Sequence, residues 1–457
     1  MNGKSDTEIY LRQPPAFDDG TGYVLKLNKS IYGLKQAPTI WYNTICSLFS
    51  NLNFQPSSID PCIFLRNDGS IIFLYVDDII IASRDKQAIE SIATNLGQHF
   101  SLKELGDPTY ILNMQIIRSK TCIVLTQRNY IERAAEEFGL TDSKSISTPM
   151  QKGLDLDLNH SDTANVPYRE LLGRLVYISD NTRPDISAAV SIMGQFSSNP
   201  SYIHWKHLKK ILQYLNATKL LGLRFPVANS PLVTFVDANF GGTKISPKSR
   251  EGHITFWNNA PIWWRSCKQS ITAQSSCASE YIAINGCVKG VIPLARMIWE
   301  FENKQAYFGD DLNHAFTVFT KNRDCAVTLN AHALDYSRLR LKLMEDNQSC
   351  IKLLQNGKYK KGRLAHLPIK VHWIKELVQQ KLCDVEYVST KHQLADPLTK
   401  ALGRQKFTQM RSSLGLVDLS DLQGNVRAAH EAEEESKLDD DMAINETESD
   451  RPNGVHA

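Results

Sequence analysis

Four carboxylates stand at the ends of predicted elements in the second half of this 457-residue chain. Asp237 ends a strand and Glu280 opens a helix; Asp346 follows a strand, and Asp396 precedes Pro397 at another helix start. A helix cap, a helix dipole or a turn would explain each acid separately. If all four converge, charges about 4 Å apart repel by about 4 kcal/mol per pair at an effective dielectric of about 20. Bound Mg²⁺ or Mn²⁺ would relieve that repulsion, and two such ions could activate water and stabilise a leaving oxygen.

A second acidic feature is the pair Asp77 and Asp78, which interrupts the apolar stretch Ile71 to Ala82. Two short apolar runs that meet at an acidic pair predict a buried β-hairpin with carboxylates at its tip. Such a turn could hold oxygen ligands for hard divalent cations. Aspartate is also a common turn residue, so a plain hairpin explains the pair when it is taken alone.

The elements that must position these acids follow from apolar periodicity. Helical spacing predicts core helices at Trp41 to Phe49, Ile89 to Leu96, Tyr130 to Phe138 and Trp205 to Leu215, and a later helix carrying Tyr281, Ile284, Val288 and Val291. Predicted strands are Leu232 to Val236, Gly252 to Trp257, Ile262 to Arg265, Leu341 to Met344 and Val385 to Val388, with a turn at Asn258 to Pro261 and short helices at Cys350 to Leu354 and Trp373 to Val378. Helices mixed with strands in this way predict an α+β fold.

Charge is distributed unevenly along the chain. The formal net charge is +3, but residues 431–450 hold ten acids and one lysine and residues 451–457 add +1, so residues 1–430 carry +11. This excess suits nucleic acid, although an ordinary basic surface explains it equally well. The aromatic-free acidic tail is expected to be disordered.

Cysteine usage and hydropathy restrict where the protein works. The nine cysteines include no C-x-x-C pair, which argues against a zinc knuckle and a disulfide framework and favours a reducing compartment. No signal peptide is visible, and the longest apolar stretch is split by two aspartates. We therefore expect a protein of the cytoplasm or nucleus, not secreted and without a membrane partner.

Several ordered motifs carry a family resemblance. Ile31 to Pro38 with Trp41-Tyr42 and Tyr75 to Asp78 resembles the palm motifs of copia-type reverse transcriptases, and Leu105 to Asp107, Ser147 to Pro149 and Thr182 to Asp185 continue it. The resemblance covers most of residues 8–300 and again 345–415. It implies a polymerase centre containing Tyr75, Asp77 and Asp78, with Asp77 as the metal ligand. It also assigns nucleic-acid binding to Gly33, Lys35, Gln36 and Tyr75.

The four separated acids fit the same resemblance. Their local sequences occur in the order of the ribonuclease H fold: Val236 to Asn239, Ser279 to Ala283, Glu345 to Gln348 and Leu394 to Asp396. The resemblance implies Asp237 as the bridging metal ligand, Glu280 and Asp346 as its companions and Asp396 as the outer one. The reaction implied is metal-dependent hydrolysis of the RNA strand of RNA/DNA hybrids.

A basic, aromatic-bearing groove would read the 2′-hydroxyls and the backbone shape of such a hybrid. The candidates are Trp263, Trp264, Arg265, Lys268, Lys358, Lys360, Lys361 and Arg363. Core packing explains the tryptophans as well, and a solvated loop explains the lysines. His392 could assist product release, although a surface histidine is the simpler interpretation.

The chain departs from the family pattern at several places. Met1-Asn2-Gly3 resembles the end of a motif whose aspartate would precede Met1, so we expect an N-terminally truncated palm and negligible DNA synthesis. Residues 302–340 do not match the family spacer, and Ala365 to Pro368 replaces a Lys-His-Ile-Asp sequence. Ala278 and Asn239 replace acids that are frequent in the family but lie outside the tetrad.

The sequence divides into four predicted regions. These are a reverse transcriptase palm and thumb-like region at 1–150, a helical connection at 151–228, a ribonuclease H-like α/β domain at 229–420 and a disordered acidic tail at 421–457. The expected partners are RNA/DNA hybrid, RNA template and DNA, with association with other Pol products also open. Three interpretations remain: a ribonuclease H, a nucleic-acid-binding relic without catalysis, and a decayed fragment that does not fold.

Overall fold

The computed structural model describes residues 8–31, 33–154, 156, 164–241, 247–302, 341–355 and 368–421, with the backbone alone at 368–371. Within these ranges the chain mixes helix and sheet, as predicted. It divides into two compact units, residues 1–108 with 292–335 and residues 109–291 with 336–457. The unmatched spacer 303–340, residues 356–367 with their basic cluster and residues 422–457 of the acidic tail lie outside the described ranges.

Eleven α-helices occur in the described residues, and each predicted core helix is among them. They are α1 Ala37–Asn51, α2 Lys86–His99, α3 Arg128–Glu137, α4 Tyr168–Asn181, α5 Ser187–Gly194, α6 Tyr202–Ala217, α7 Ser276–Glu302, α8 Gln348–Gln355, α9 Pro368–Gln379, α10 Asp396–Thr399 and α11 Arg404–Ser413.

The first unit contains a four-stranded antiparallel sheet and a separate two-stranded hairpin. Their strands are β1 Tyr10–Arg12, β2 Val24–Lys26, β3 Gln55–Pro56, β4 Ile63–Leu65, β5 Ile71–Tyr75 and β6 Asp78–Ala82. The sheet runs in the order β3-β4-β5-β6, and α1 and α2 supply Ile45, Phe49, Ile92 and Leu96 to the core that it covers. The predicted acidic hairpin forms, because β5 and β6 pair with Tyr75 opposite Asp78. It is less buried than predicted, since β5 buries Ile72 and Leu74 whereas no residue of β6 is buried.

The second unit contains a five-stranded sheet in the order β13-β12-β11-β14-β15. Its strands are β11 Val233–Asn239, β12 Arg250–Trp257, β13 Ala260–Lys268, β14 Leu341–Glu345 and β15 Cys383–Tyr387. The first three form an antiparallel meander, and β14 and β15 add in parallel beside β11. The predicted four-residue turn is shorter in the structure, because Asn258 and Asn259 both adopt positive φ and form a two-residue hairpin turn.

A second five-stranded sheet in this unit was not predicted. It has the order β16-β10-β9-β8-β7, from β7 Tyr110–Ile111, β8 Met114–Arg118, β9 Cys122–Thr126, β10 Leu221–Pro226 and β16 Leu416–Asp418. Helices α3, α4, α5 and α6 pack their apolar faces together in one core of this unit, to which Phe407 and Met410 of α11 also belong.

Helix α7 is long and apolar enough to cross a membrane by length and composition alone. Its Tyr281, Ile284 and Val288 are nevertheless fully buried in the second unit. A helix that buries its apolar residues against a sheet is a core helix, and the apolarity of α7 is explained in that way.

Candidate metal centre

Three acids from separate elements meet at one end of the β11-centred sheet. One carboxylate oxygen each from Asp237, Glu280 and Asp346 lies within 4.8 Å of the other two. The parallel register pairs Phe235 with Met344, so two residues further along both strands Asp237 and Asp346 stand side by side. Glu280 reaches them from the first turns of α7. The structure therefore brings together three of the four acids that the sequence assigned to a metal site.

Burial makes this cluster costly to ionise. Asp237 is 4% exposed and Glu280 is 5% exposed. Burial raises the pKa of Asp237 to about 6, and the charges of Asp396 and Asp346 add to that effect, whereas Lys400 and the Thr399 hydroxyl oppose it. Burial also raises the pKa of Glu280, reinforced by neighbouring acids. A cation in the cluster would offset both the burial and the repulsion between acids that cause these shifts.

Glu345 is a further buried acid beside the cluster, and sequence reasoning did not single it out. It is fully buried at the end of β14, and burial raises its pKa well above the usual value. Its Oε1 accepts a hydrogen bond from the Asn347 backbone N–H at 3.0 Å. Its Oε2 and the Oε2 of Glu280 are buried without a hydrogen-bond partner among the described residues.

The donor set fits a hard divalent cation. The converging ligands are carboxylate oxygens, which Mg²⁺ and Mn²⁺ prefer, with no thiolate or imidazole in the group. Unpartnered buried carboxylate oxygens are rare in folded proteins, because each one loses its hydration without compensation. Of the two such oxygens, Glu280 Oε2 belongs to the cluster, and a cation bound there would explain it.

The structure places the fourth predicted ligand, Asp396, beside the cluster and not within it. Asp396 opens α10 and is fully buried. Its Oδ1 lies 2.5 Å from Lys400 Nζ, and Lys406 Nζ pairs with its Oδ2. Its predicted role as the outer metal ligand stays a prediction, since this carboxylate is ion-paired with two lysines.

Two uncharged side chains tie the α10 region to the acids. The Thr399 hydroxyl donates to Asp237 Oδ2 at 2.5 Å. Gln393 is fully buried, and its Nε2 donates to the Val236 carbonyl oxygen at 2.8 Å, which anchors the preceding loop to β11. None of Thr399, Gln393, Lys400 and Lys406 was predicted from the sequence to belong to the site. The i,i+4 spacing of Asp396 and Lys400 is the one sequence signal that pointed to their pairing.

The proposed groove residues on β13 lie on different faces of the sheet. Asp237 pairs across β12 with Ser266, so alternation puts Lys268 on the face of Asp237 and Arg265 on the opposite one. Arg265 is exposed, and Lys268 Nζ donates to Gln195 Oε1 at 3.3 Å.

The two tryptophans of β13 have structural roles, as the simpler interpretation predicted. Trp263 stacks on His253 with ring centroids 4.2 Å apart, and Trp264 Nε1 donates to the Ser179 carbonyl oxygen at 2.8 Å. His392 is exposed, and its Nδ1 lies 3.0 Å from the Ser389 hydroxyl. The basic residues Lys358, Lys360, Lys361 and Arg363 lie outside the described residues.

The acidic tip of the first unit is a tight and exposed turn. Val76 adopts φ 55°, which is unusual for a β-branched residue, and Trp41 Nε1 donates to its carbonyl oxygen at 2.7 Å. Tyr75, Asp77 and Asp78 are exposed. Within the described residues, no third acid, histidine or cysteine joins this pair in a metal-binding group.

The segment before α1 contains the other predicted nucleic-acid contacts. Gly33, Lys35 and Gln36 are exposed there, and Gly33 adopts φ 94°, a conformation that favours glycine. Trp41 in the first turns of α1 contacts the acidic hairpin, so the hairpin tip and the start of α1 are neighbours within this unit. Contact with nucleic acid stays a prediction for these residues.

Comparison with known proteins identifies relatives along nearly the whole chain. A family model described as reverse transcriptase (RNA-dependent DNA polymerase) matches residues 1–152. A retrovirus-related Pol polyprotein from transposon TNT 1-94 of Nicotiana tabacum is 33% identical over 432 residues, which is 91% of this chain and 30% of that protein. The chain thus spans less than a third of that relative's length.

Two further comparisons concern a second sequence relative and a solved structure. A putative transposon Ty5-1 protein of Saccharomyces cerevisiae is 30% identical over 298 residues, covering 63% of this chain and 97% of that protein. Among solved structures, the N-terminal RNase H domain of a Mycobacterium tuberculosis protein, fused to maltose-binding protein, covers 40% of this chain and 96% of that one. It is 11% identical with a TM-score of 0.23, too low to support any argument about the fold.

Proposed function

The chain belongs to the Pol polyprotein family of copia-type retrotransposons, and we propose that its second unit hydrolyses the RNA strand of RNA/DNA hybrids. The observation that carries this proposal is the cluster of Asp237, Glu280 and Asp346. Further support comes from the sheet that holds it, a three-stranded antiparallel meander extended by two parallel strands with an acid-bearing helix on one face.

The residues of the cluster have distinct roles in this proposal. Asp237, Glu280 and Asp346 would hold Mg²⁺ or Mn²⁺, which supplies water activation and charge neutralisation at the scissile phosphate when bound. Thr399 orients the Asp237 carboxylate through its hydroxyl. Gln393 fixes the backbone of β11 one residue before Asp237, so that the carboxylate is presented from a rigid strand.

Hybrid recognition is part of the same proposal. Lys268 stands on the face of Asp237, two strands away and two residues further along, about 12 Å at the usual strand dimensions. A cation at that distance suits a phosphate of the strand being cut, and the excess positive charge of residues 1–430 suits the backbones of RNA template and DNA.

We also propose that the protein works in a reducing compartment, either cytoplasm or nucleus, since the described cysteines are free thiols.

The direct test is cleavage of an end-labelled RNA/DNA hybrid by the full chain in Mg²⁺ or Mn²⁺. Wild type is expected to cut only the RNA strand, and Asp237→Asn is expected to lose about a thousandfold or more of the rate, which corresponds to about 4 kcal/mol. Asp384→Asn, at an exposed position on β15, is the matched control and should cut normally.

Three outcomes would count against the proposal. Cleavage that persists in chelator, or that Asp237→Asn leaves unchanged, would place the activity elsewhere. Hybrid binding without metal-dependent cutting would favour a nucleic-acid-binding protein without catalysis. Primer extension on an RNA template measures the polymerase activity of the family separately, with Asp77→Asn as its control.

A further inference from the structure

Asp396 is paired with two cationic side chains that are both partly exposed. The carboxylate side chain is 1% exposed, whereas the Lys400 and Lys406 side chains are 39% and 40% exposed. The acid is therefore fixed in the protein interior, but each lysine has a path to solvent. A flexible four-carbon stem lets an ammonium group exchange one anionic partner for another.

The two lysines come from separately anchored elements. Lys400 follows α10, whose Leu398 is buried against Ile254 of β12. Lys406 belongs to α11, whose Phe407 and Met410 are part of the helical core. Because each element is fixed by its own apolar contacts, the convergence of both ammonium groups on one carboxylate is a built feature of this site.

The positive charge of Lys400 also interacts with two acids of the cluster. Lys400 lies close enough to Asp237 and Asp346 for both acids to raise its pKa, although burial opposes this. Asp396 carries one negative charge and the lysines carry two positive ones, so this side of the cluster is net positive by one charge. A divalent cation approaching Asp396 would meet that positive charge unless the lysines moved away.

We propose that Lys400 and Lys406 act as internal counter-cations on the Asp396 side of the cluster. The protein without nucleic acid then binds one divalent cation, at Asp237, Glu280 and Asp346, and Asp396 accepts a second only after the lysines release it. Phosphates of a bound nucleic acid are the natural alternative partners for the released ammonium groups. Substrate binding and completion of the metal centre are coupled in this way, an inference that rests on the proposed function.

Titration calorimetry of the full chain with MnCl₂ tests the inference without using cleavage as a readout. Wild type should bind one cation. The double variant Lys400→Met with Lys406→Met should bind a second cation, because the positive charge beside Asp396 is removed. Lys400→Arg retains the charge and should stay at one cation. Lys352→Met, which removes an exposed lysine from α8 of the same unit, is the matched control and should also stay at one.

Circular dichroism would reveal whether the double variant unfolds. If it does, Asp396→Asn provides a second test of the inference. It should keep the first cation with unchanged affinity, and loss of that cation would overturn the inference by placing Asp396 in the first site. Two cations bound by wild type, or a folded double variant that still binds only one, would overturn this inference without affecting the proposed function. Absence of any bound cation in wild type would overturn it together with the metal site of the proposed function.

Discussion

At the scale of single residues, the cluster exchanges stability for the capacity to bind a cation. Asp237 loses hydration on folding and faces other acids, so its folded pKa of about 6 exceeds the ordinary value of 3.8. A raised carboxyl pKa means that the folded chain binds a proton more tightly than the unfolded chain. The stability that this provides is complete below about pH 4 and is lost as pH rises through 6.

We expect the Asp237 carboxyl group to make the protein less stable in chelator as pH rises from about 4 to 6. Two pKa units correspond to about 3 kcal/mol from Asp237 alone. Mg²⁺ should remove most of the loss, because a bound cation replaces the proton. Urea unfolding at several pH values, in chelator and in Mg²⁺, measures the difference between wild type and Asp237→Asn. Equal pH profiles for the two proteins in chelator would contradict this explanation.

Asp237→Asn should raise the free energy of unfolding in chelator and should reduce the stabilisation that Mg²⁺ provides. In chelator at pH 7 the variant should be more stable than wild type by about 1–3 kcal/mol, because it removes a buried charge from an acidic group. In Mg²⁺ the variant should gain less than wild type, since it lacks one ligand. Thermal unfolding in both media tests this, and a variant less stable than wild type in chelator would refute it.

At the scale of elements, the site depends on how closely α10 approaches β12. A Cβ on Gly252 would lie 2.7 Å from Leu398 Cβ and 2.9 Å from Thr399 Cγ2. Gly252 pairs with Asp237 across the two strands, so the contact lies at the level of the cluster. The glycine therefore allows α10 to place Thr399 on the Asp237 carboxylate.

Gly252→Ala should displace α10 and cost about 1–3 kcal/mol of stability, the usual cost of overpacking. Metal affinity should fall with it, because Thr399 would move away from Asp237. Gly173→Ala is the matched control, since nothing lies within 4 Å of a Cβ there and the position is inside α4. Urea unfolding and Mn²⁺ titration measure both effects; unchanged stability in Gly252→Ala would show that the contact is not limiting.

A buried ionic network fixes the helices behind the site. Arg183 makes a bidentate pair with Asp185 at 2.9 and 2.8 Å, and Tyr214 donates to the same carboxylate at 2.6 Å. Arg183 and Asp185 are fully shielded from solvent. Arg411 of α11 donates to the Tyr214 hydroxyl at 3.3 Å, so the network reaches the helix that carries Lys406.

Asp185→Asn should cost about 3–5 kcal/mol, because it leaves the Arg183 guanidinium charged and unpaired in the interior. Tyr214→Phe should cost about 1 kcal/mol, the value of one hydrogen bond. Glu386→Gln breaks the exposed pair with Lys342 and should cost less than about 1 kcal/mol. Chemical denaturation of the three variants tests this order, and an Asp185→Asn cost no larger than that of Glu386→Gln would contradict it.

At the scale of the whole molecule, the sequence predicted those parts that local patterns encode. The hairpin at Asp77, the β11 to β13 meander and the apolar face of α6 follow from periodicity within one segment. The sheet β16-β10-β9-β8-β7 was missed, because its strands are contributed by distant segments between Tyr110 and Asp418 and periodicity does not specify such pairing.

The candidate site was predicted only in part for a similar reason. Acids could be chosen from the sequence because their order along the chain matched a family pattern. The partners of Asp396 depend on side-chain directions from α10 and α11, which no spacing rule fixes. Glu345 was overlooked because it adjoins Asp346, and only burial reveals that its carboxyl group lies beside the cluster.

Anomalous diffraction from crystals of the full chain grown with Mn²⁺ tests whether the three acids of the second unit bind a cation together. We expect an anomalous peak within about 2.5 Å of carboxylate oxygens from Asp237, Glu280 and Asp346 together, and no such peak in Asp237→Asn. A peak only at the exposed Asp77 and Asp78 turn, or a Mn²⁺-containing crystal with no peak among the three acids, would contradict it.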